Sequence, residues 1–236
     1  MKPSQAAIDK WAAETRTDLT PGDVRGVWAV RSSLGQLVVG KYLQNFNAAL
    51  PFENRGNWFL ARASLVHLRF AEAANRDGHP DLAEAFLQRG IQDVFSDPDL
   101  PATNPDVTNT QQTFLPAPYN FDAREGTYPF FRGDWYRHIG LRTRAGLQNI
   151  NFDDPFAEEP LMDRIENAIV KEAALELAFE GHRWQDLLRI ARRRNDPSFL
   201  ADKVYEKLMK ANDPRADEVR ARLLDPNNWY LPFKMW

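Results

Sequence analysis

The sequence predicts a mainly helical, irregular fold with αα-hairpins and long ordered loops. Apolar residues recur every three or four positions in residues 58–75, 82–94 and 161–180, which is the spacing of one face of an amphipathic helix. Only two short runs, 24–30 and 37–43, are rich enough in β-branched residues to suggest strands. The 16 prolines and 12 glycines fall largely between these stretches, where they favour turns and loops.

The N-terminal region begins with a short predicted helix over residues 5–16. Thr20-Pro21-Gly22-Asp23 ends it, because proline and glycine interrupt helices. The runs 24–30 and 37–43, separated by Ser32-Ser33-Leu34-Gly35, then predict a small β-hairpin.

An αα-hairpin is predicted next, from helices over 58–75 and 82–94. Asn57 can cap the first helix, and Gly78 can take the positive φ that ends it. The short glycine-containing turn makes the two helices antiparallel neighbours. The expected apolar face of the first helix consists of Phe59, Ala63, Leu65, Val66, Phe70 and Ala73.

Residues 96–135 show neither a helical nor a strand period and are rich in proline and aromatic residues. Disordered segments are poor in aromatic rings, so we expect an ordered loop excursion packed on the helices. The C-terminal part predicts four helices, over 161–180, 184–194, 199–208 and 216–224, and an extended aromatic end. We expect residues 1–236 to form a single domain.

Composition excludes several classes of function. The chain has no cysteine, so disulfides, thiolate metal sites and cysteine nucleophiles are excluded. The formal net charge of -3 argues against nucleic acid as a partner. The mean hydropathy is -0.55, and no long apolar run predicts a membrane-spanning helix.

No cofactor or metal is expected. None of the histidines (His67, His79, His138 and His182) forms a pair with metal-binding helical spacing, and no phosphate-binding glycine loop is present. A calcium ion held by loop carboxylates such as Asp97 and Asp99 is an alternative that we consider and do not expect, because the acids lack the spacing of an EF-hand.

A row of acids lies on the longest predicted helix. Glu172, Glu176 and Glu180 are four residues apart and share one face. A hydrolase using Glu176 and Glu180 is one hypothesis, but glycoside hydrolysis needs two carboxyls on either side of the substrate. We interpret the row as structural. The cations that we expect it to meet are Arg164, Arg183 and Arg189.

The most distinctive string runs from Glu180 to Asp186, Glu-Gly-His-Arg-Trp-Gln-Asp. Gly181 lets one helix end, and Trp184 and Phe179 are expected to fill the space between that helix and the next. His182 and Asp186 could instead form a catalytic orienting pair, but no serine or threonine nucleophile accompanies them locally. A helix–helix corner is therefore the favoured interpretation.

This string closely resembles the signature of the SusD/RagB family of nutrient-binding outer-membrane lipoproteins of Bacteroidota. The resemblance starts at Glu176-Leu177-Ala178-Phe179-Glu180 and continues to Arg189. Four further segments resemble the family in the same order along the chain. They are Gly22–Arg25 with Gly40–Tyr42, Arg62–Asn75, Leu141–Leu147 and Trp229–Pro232. The positions that the resemblance marks as fold-specifying are Arg62, Glu72, Glu176, Glu180, Gly181, His182, Arg183, Trp184 and Asp186.

The resemblance implies a non-catalytic binding protein with tetratricopeptide-like helices. Such a protein captures glycans or peptides at the cell surface and passes them to a SusC-like TonB-dependent transporter. Family members are about twice as long and carry a signal peptide and an acylated cysteine. The resemblance covers only the C-terminal half of such a protein, so either this chain is a fragment or its N-terminal half, which carries the lipid anchor, is a separate chain; we expect a fragment.

Aromatic rings in loops are the candidates for contact with a sugar, because ring faces stack on sugar C–H groups. For each ring the alternative is packing under its own loop. The candidates are Trp28, Tyr119, Phe121, Trp135 and Tyr136. The function that rivals capture is a helical scaffold that binds a protein partner and no small ligand.

Overall fold

The structure, a computed structural model, describes residues 2–41, 49, 61–95 and 140–230. These residues are mainly helical, as predicted. The chain divides into two compact units. The first comprises Met1–Ala13, Val24–Phe59 and Ala173–Trp236, and the second comprises Glu14–Asp23 and Leu60–Glu172. None of the helices among the described residues is long and apolar enough to cross a bilayer.

The elements are numbered here in chain order. They are α1 (Gln5–Ala12), α2 (Val24–Ala29), β1 (Val30–Ser33), β2 (Gln36–Val39), α3 (Ala63–Arg76), α4 (Pro80–Leu87), α5 (Ile91–Val94), α6 (Leu141–Arg144), α7 (Leu161–Glu176), α8 (Arg183–Arg194), α9 (Pro197–Lys210), α10 (Ala216–Leu223) and a 3₁₀ turn (Pro226–Asn228).

In the first unit, the predicted strand over 24–30 is wrong. Residues 24–29 form the helix α2, and the hairpin consists of β1 and β2, with Ser33 opposite Gln36. Leu34 and Gly35 both have positive φ, 48° and 74°, as a two-residue type I′ hairpin turn requires. A Cβ at Gly26 would lie 2.8 Å from Trp11 Cγ, so a residue without a side chain lets α2 pack closely on α1. This tertiary contact outweighs the local strand preference.

An apolar cluster forms the core around α2. Trp11, Ala29 and Leu175 are buried there, and Phe179 packs against them with its ring centroid 5.9 Å from that of Trp11. In the same unit α9 packs on α8 and on α10. The buried indole of Trp229 donates a hydrogen bond of 2.7 Å to the Leu223 carbonyl, which fixes the chain after α10.

The second unit contains the predicted αα-hairpin, formed by α3 and α4. Gly78 has φ +84°, and the His79 N–H donates to the Ala74 carbonyl at 2.9 Å, as in a glycine-terminated helix end. The predicted apolar face of α3 is partly wrong, because Val66 is 57% exposed. The face that is buried instead consists of Ser64, Leu68, Ala71, Glu72, Ala74 and Asn75.

The predicted helix over 82–94 is interrupted. The helix α4 ends at Leu87, and Gly90, with φ +94°, separates it from the short α5. Between them lies the buried Gln88, whose carbonyl accepts hydrogen bonds from the Thr143 hydroxyl (2.8 Å) and backbone N–H (3.3 Å). Because the Gln88 carbonyl accepts hydrogen bonds from Thr143 of α6, it does not continue the hydrogen-bond pattern of α4. The predicted loop over 96–135 lies outside the described residues.

Candidate functional site: the signature corner

The corner forms where α7 gives way to α8. The helix ends at Glu176, four residues earlier than predicted, and the chain reverses through two residues with left-handed backbones. Phe179 has φ +68° and Gly181 has φ +84°. Positive φ is strained for phenylalanine and natural for glycine, so the corner holds Phe179 by its packing.

Lys41 stabilises the C-terminal end of α7. Its ammonium donates hydrogen bonds to the carbonyls of Glu176 (3.1 Å) and Ala178 (3.2 Å), and it also bonds the Glu180 carboxylate. A cation at this position compensates the negative end of the helix dipole and satisfies carbonyls that lack helical partners. The Glu180 side chain is almost fully buried, and Lys41 is about three-quarters buried.

Arg25 binds the next acid of the row. Its Nη1 lies 2.8 Å from Glu176 Oε2, and both side chains are largely buried. The acids are therefore ion-paired, as predicted, and the cations on Glu176 and Glu180 include Arg25 and Lys41, which are not among the predicted partners. Arg189 instead lies 3.3 Å from Asp186. Local sequence spacing cannot predict these ion pairs, because their partners are more than 130 residues apart in the chain.

The remaining acid of the row, Glu172, belongs to the second unit, where it forms part of a buried charge cluster. Arg142 donates to Glu172 at 3.0 Å and to Glu14 at 2.8 Å, and Lys171 also bonds Glu14. Arg142 additionally donates to the Gln148 carbonyl at 3.1 and 2.9 Å. Burial alone raises the pKa of Glu14, but hydrogen bonds from Lys171 and Arg142 outweigh it and hold that pKa below its ordinary value.

Three signature residues of the corner lie at the start of α8: Arg183, Trp184 and Asp186. Trp184 is 38% exposed and so only partly buried, whereas Phe179, the other ring predicted to fill the space between the helices, packs against the core cluster. Asp186 is buried near the start of α8, and its partner there is Arg189. Burial lowers the pKa of Arg183, partly offset by the charges of Asp186 and Glu206.

The remaining signature positions lie on α3 and at its start. Arg62 donates to the buried Ser64 hydroxyl at 2.8 Å, and Arg144 of α6 donates to the same oxygen at 2.8 Å. Glu72 is buried and lies 3.7 Å from Arg69. These contacts join α3 to α6 and explain why α3 carries polar side chains on this side.

The candidate ligand-binding rings fall into two groups. Trp28 lies on the solvent side of α2, with 65% of its surface exposed. The other candidates, Tyr119, Phe121, Trp135 and Tyr136, lie outside the described residues. Within 2–41, 61–95 and 140–230, no group of three or more histidine and acidic side chains is placed to hold a metal ion.

Residues 136–233 match the family model described as the SusD family. The match is consistent with the C-terminal portion of a SusD/RagB-family protein. The match contains α6, α7, the corner and the three helices after it. Arg25 and Lys41 lie before the matched segment in sequence, and they bind Glu176 and Glu180 within it. No curated protein and no solved structure matches the chain.

Replacing Lys41 with methionine tests the structural role of the corner. The change removes the cation from a buried carboxylate and from two helix-end carbonyls, so we expect the free energy of unfolding to fall by about 2–3 kcal/mol. The control is Lys207→Met, an exposed lysine on α9. Urea unfolding followed by circular dichroism measures both. Equal stability of the two variants would contradict the role given to Lys41.

Proposed function

We propose that the chain takes part in the non-catalytic capture of an oligosaccharide or peptide nutrient at the cell surface. The captured nutrient is then delivered to a SusC-like TonB-dependent outer-membrane transporter. The observation that carries the proposal is the SusD-family match over residues 136–233, because this family consists generally of nutrient-binding proteins. An outer-membrane location belongs to the same proposal.

The contacts of the acidic row support a binding protein over a hydrolase. Glycoside hydrolysis needs two carboxyl groups that face a substrate from opposite sides. Glu176 and Glu180 are instead held by Arg25 and Lys41, with their side chains largely buried. Carboxylates used in this way hold the end of a helix, and we therefore propose no catalytic residue.

Trp28 is the described residue best suited to contact a sugar. Its ring is 65% exposed although the helix that carries it is anchored in the core through Ala29. A large ring presented on a fixed helix can stack on a sugar face with little loss of side-chain entropy. We propose that Trp28 contributes to the ligand contact together with Tyr119, Phe121, Trp135 and Tyr136.

Isothermal titration calorimetry with a panel of neutral oligosaccharides, acidic oligosaccharides and short peptides tests this proposal. We expect at least one ligand to bind, and Trp28→Ala to weaken that binding by about tenfold, equal to about 1.4 kcal/mol. The matched control is Trp184→Ala, because Trp184 is also a partly exposed tryptophan and is not among the candidate ligand-binding rings.

Two results of this experiment would count against capture. If no member of the panel binds while the chain still binds a SusC-like transporter, the protein is a helical scaffold without a small ligand. If an oligosaccharide is cleaved and Glu180→Gln abolishes the cleavage, the protein is a hydrolase. Equal affinity of the Trp28→Ala and Trp184→Ala variants would remove Trp28 from the ligand contact.

A further inference from the structure

The loop between α6 and α7 exposes a large apolar ring. The side chain of Phe156 is 90% exposed, more than any other phenylalanine, tyrosine or tryptophan among the described residues. Leu161, the first residue of α7, is 40% exposed, and Pro155 and Pro160 are exposed next to them in sequence. We call Pro155, Phe156, Pro160 and Leu161 the Phe156 ridge. The ridge belongs to the second unit.

The loop that carries Phe156 is fixed to the rest of its unit on both sides of the ring. Before the ring, the backbone of Ile150 exchanges two hydrogen bonds with the side chain of the buried Gln88, one of them 3.0 Å long. After the ring, Glu159 accepts a hydrogen bond of 2.6 Å from Asn167 of α7. Because the loop is already held in place, a partner that covers the ring loses little entropy in ordering it.

Acids flank the ridge on both sides in sequence. Residues 151–160 contain no lysine or arginine and four exposed acids, which are Asp153, Asp154, Glu158 and Glu159. Among the residues that the structure describes, no lysine or arginine forms an ion pair with any of the four. Other exposed acids do have such a partner, as Asp202 does in Arg220, 2.7 Å away. The charge of this loop is therefore not compensated within the described part of the chain.

Local roles explain only part of this composition. Acids in front of a helix favour its positive N-terminal end, so Glu158 and Glu159 stabilise α7. Asp154 accepts a hydrogen bond of 2.9 Å from the Phe156 N–H, which shapes the turn. Neither role requires a phenylalanine, whose ring lies almost entirely outside the core. An apolar anchor inside a charged rim is instead the arrangement of a protein docking surface.

We propose that the Phe156 ridge docks on the SusC-like transporter to which the captured nutrient is delivered. The choice of this partner rests on the proposed function, and the chemistry of its contacting surface follows from charge complementarity. That surface carries lysine or arginine residues around an apolar depression, which takes the Phe156 ring. The opposite charges steer the two proteins together, and the buried ring holds the complex.

Biolayer interferometry with the purified SusC-like transporter tests the ridge. We expect Phe156→Ala to weaken binding by at least about tenfold, because an aromatic ring anchored in a pocket is a typical hot spot. The matched control is Leu34→Ala, which removes a similarly exposed apolar side chain from the hairpin of β1 and β2, where residues 30–39 include no acid. The control should bind as the unaltered chain does. Undiminished binding by Phe156→Ala, or equal weakening by both variants, would overturn the proposal.

Charge reversal tests the acidic rim. At about 50 mM salt we expect Glu158→Lys to weaken binding by about fivefold, and we expect added sodium chloride to weaken the unaltered chain more than this variant. Asp217→Lys is the matched control, because Asp217 is also an exposed acid at the start of a helix, and it should change neither result. Tighter binding by Glu158→Lys, or an affinity of the unaltered chain that does not depend on salt, would show that the transporter surface is not basic and overturn the proposal.

The outcomes for the ridge and for the proposed function are distinguishable. We expect Phe156→Ala and Glu158→Lys to keep the urea midpoint of the unaltered chain, so that weaker binding reports the surface and not the fold. If the transporter binds the unaltered chain and Phe156→Ala equally well, the ridge is not the docking surface and delivery stands. If the unaltered chain does not bind the transporter at all, delivery itself is contradicted, and the docking surface with it.

Discussion

Replacing Arg142 with methionine is expected to lower the free energy of unfolding by about 3–5 kcal/mol. The guanidinium is nearly fully buried and bonds the buried carboxylates of Glu172 and Glu14. Methionine has a similar length and no charge, so it would leave two buried acids without their shared cation. The cost of an uncompensated buried charge exceeds the cost of losing an exposed ion pair.

The matched control for this change is Arg215→Met. Arg215 also forms an arginine–aspartate pair, 2.8 Å from Asp213, but its side chain is 71% exposed. We expect this variant to unfold at nearly the same urea concentration as the unaltered chain. If Arg142→Met unfolds at the same midpoint as Arg215→Met, the buried cluster does not hold the second unit together.

Gly140→Ala is the second change with a large expected effect. A Cβ at this position would lie 1.9 Å from the Gln88 carbonyl oxygen, and the backbone has φ +75°. That carbonyl is itself bound to Thr143, so neither backbone segment can move away without breaking the contact between α4 and α6. We expect a loss of about 2–4 kcal/mol in the free energy of unfolding, from overpacking and from backbone strain together.

Gly146→Ala separates the two contributions. Gly146 has φ +65°, but no atom would lie within 4 Å of a Cβ added there, so only the backbone strain applies. We expect it to cost about 1 kcal/mol, which is clearly less than Gly140→Ala. Thermal unfolding of both variants measures the difference. Indistinguishable melting temperatures would show that the close approach to Gln88 is unimportant for stability.

The helices of this chain are predictable because their cause is local. The four-residue spacing in α7 and the glycine turn before α4 both appear in the structure near the predicted positions. The misplaced features have a tertiary cause. The glycine in α2 is explained by Trp11, and the break after Leu87 is explained by hydrogen bonds from Thr143.

In the candidate site, too, features with a local cause are predictable from the sequence and features with a tertiary cause are not. Gly181 is identifiable from the sequence as the residue that turns the chain, because positive φ is a property of a single residue. The cations that bind Glu176 and Glu180 are not identifiable from spacing, because Arg25 and Lys41 are more than 130 residues away. Trp184 and Phe179 are both predicted to fill the space between the helices, but Trp184 is 38% exposed while Phe179, with a positive φ, packs against Trp11 in the core.

The central claim is that the corner holds the fold while the exposed ring on α2 contacts the ligand. Measuring both the urea midpoint and the affinity for the best ligand of the panel, in Lys41→Met and in Trp28→Ala, tests it most directly. We predict that Lys41→Met loses stability and keeps its affinity at temperatures where it is folded, while Trp28→Ala keeps its stability and loses affinity. The opposite pattern, with ligand affinity lost in a fully stable Lys41→Met variant, would contradict the claim.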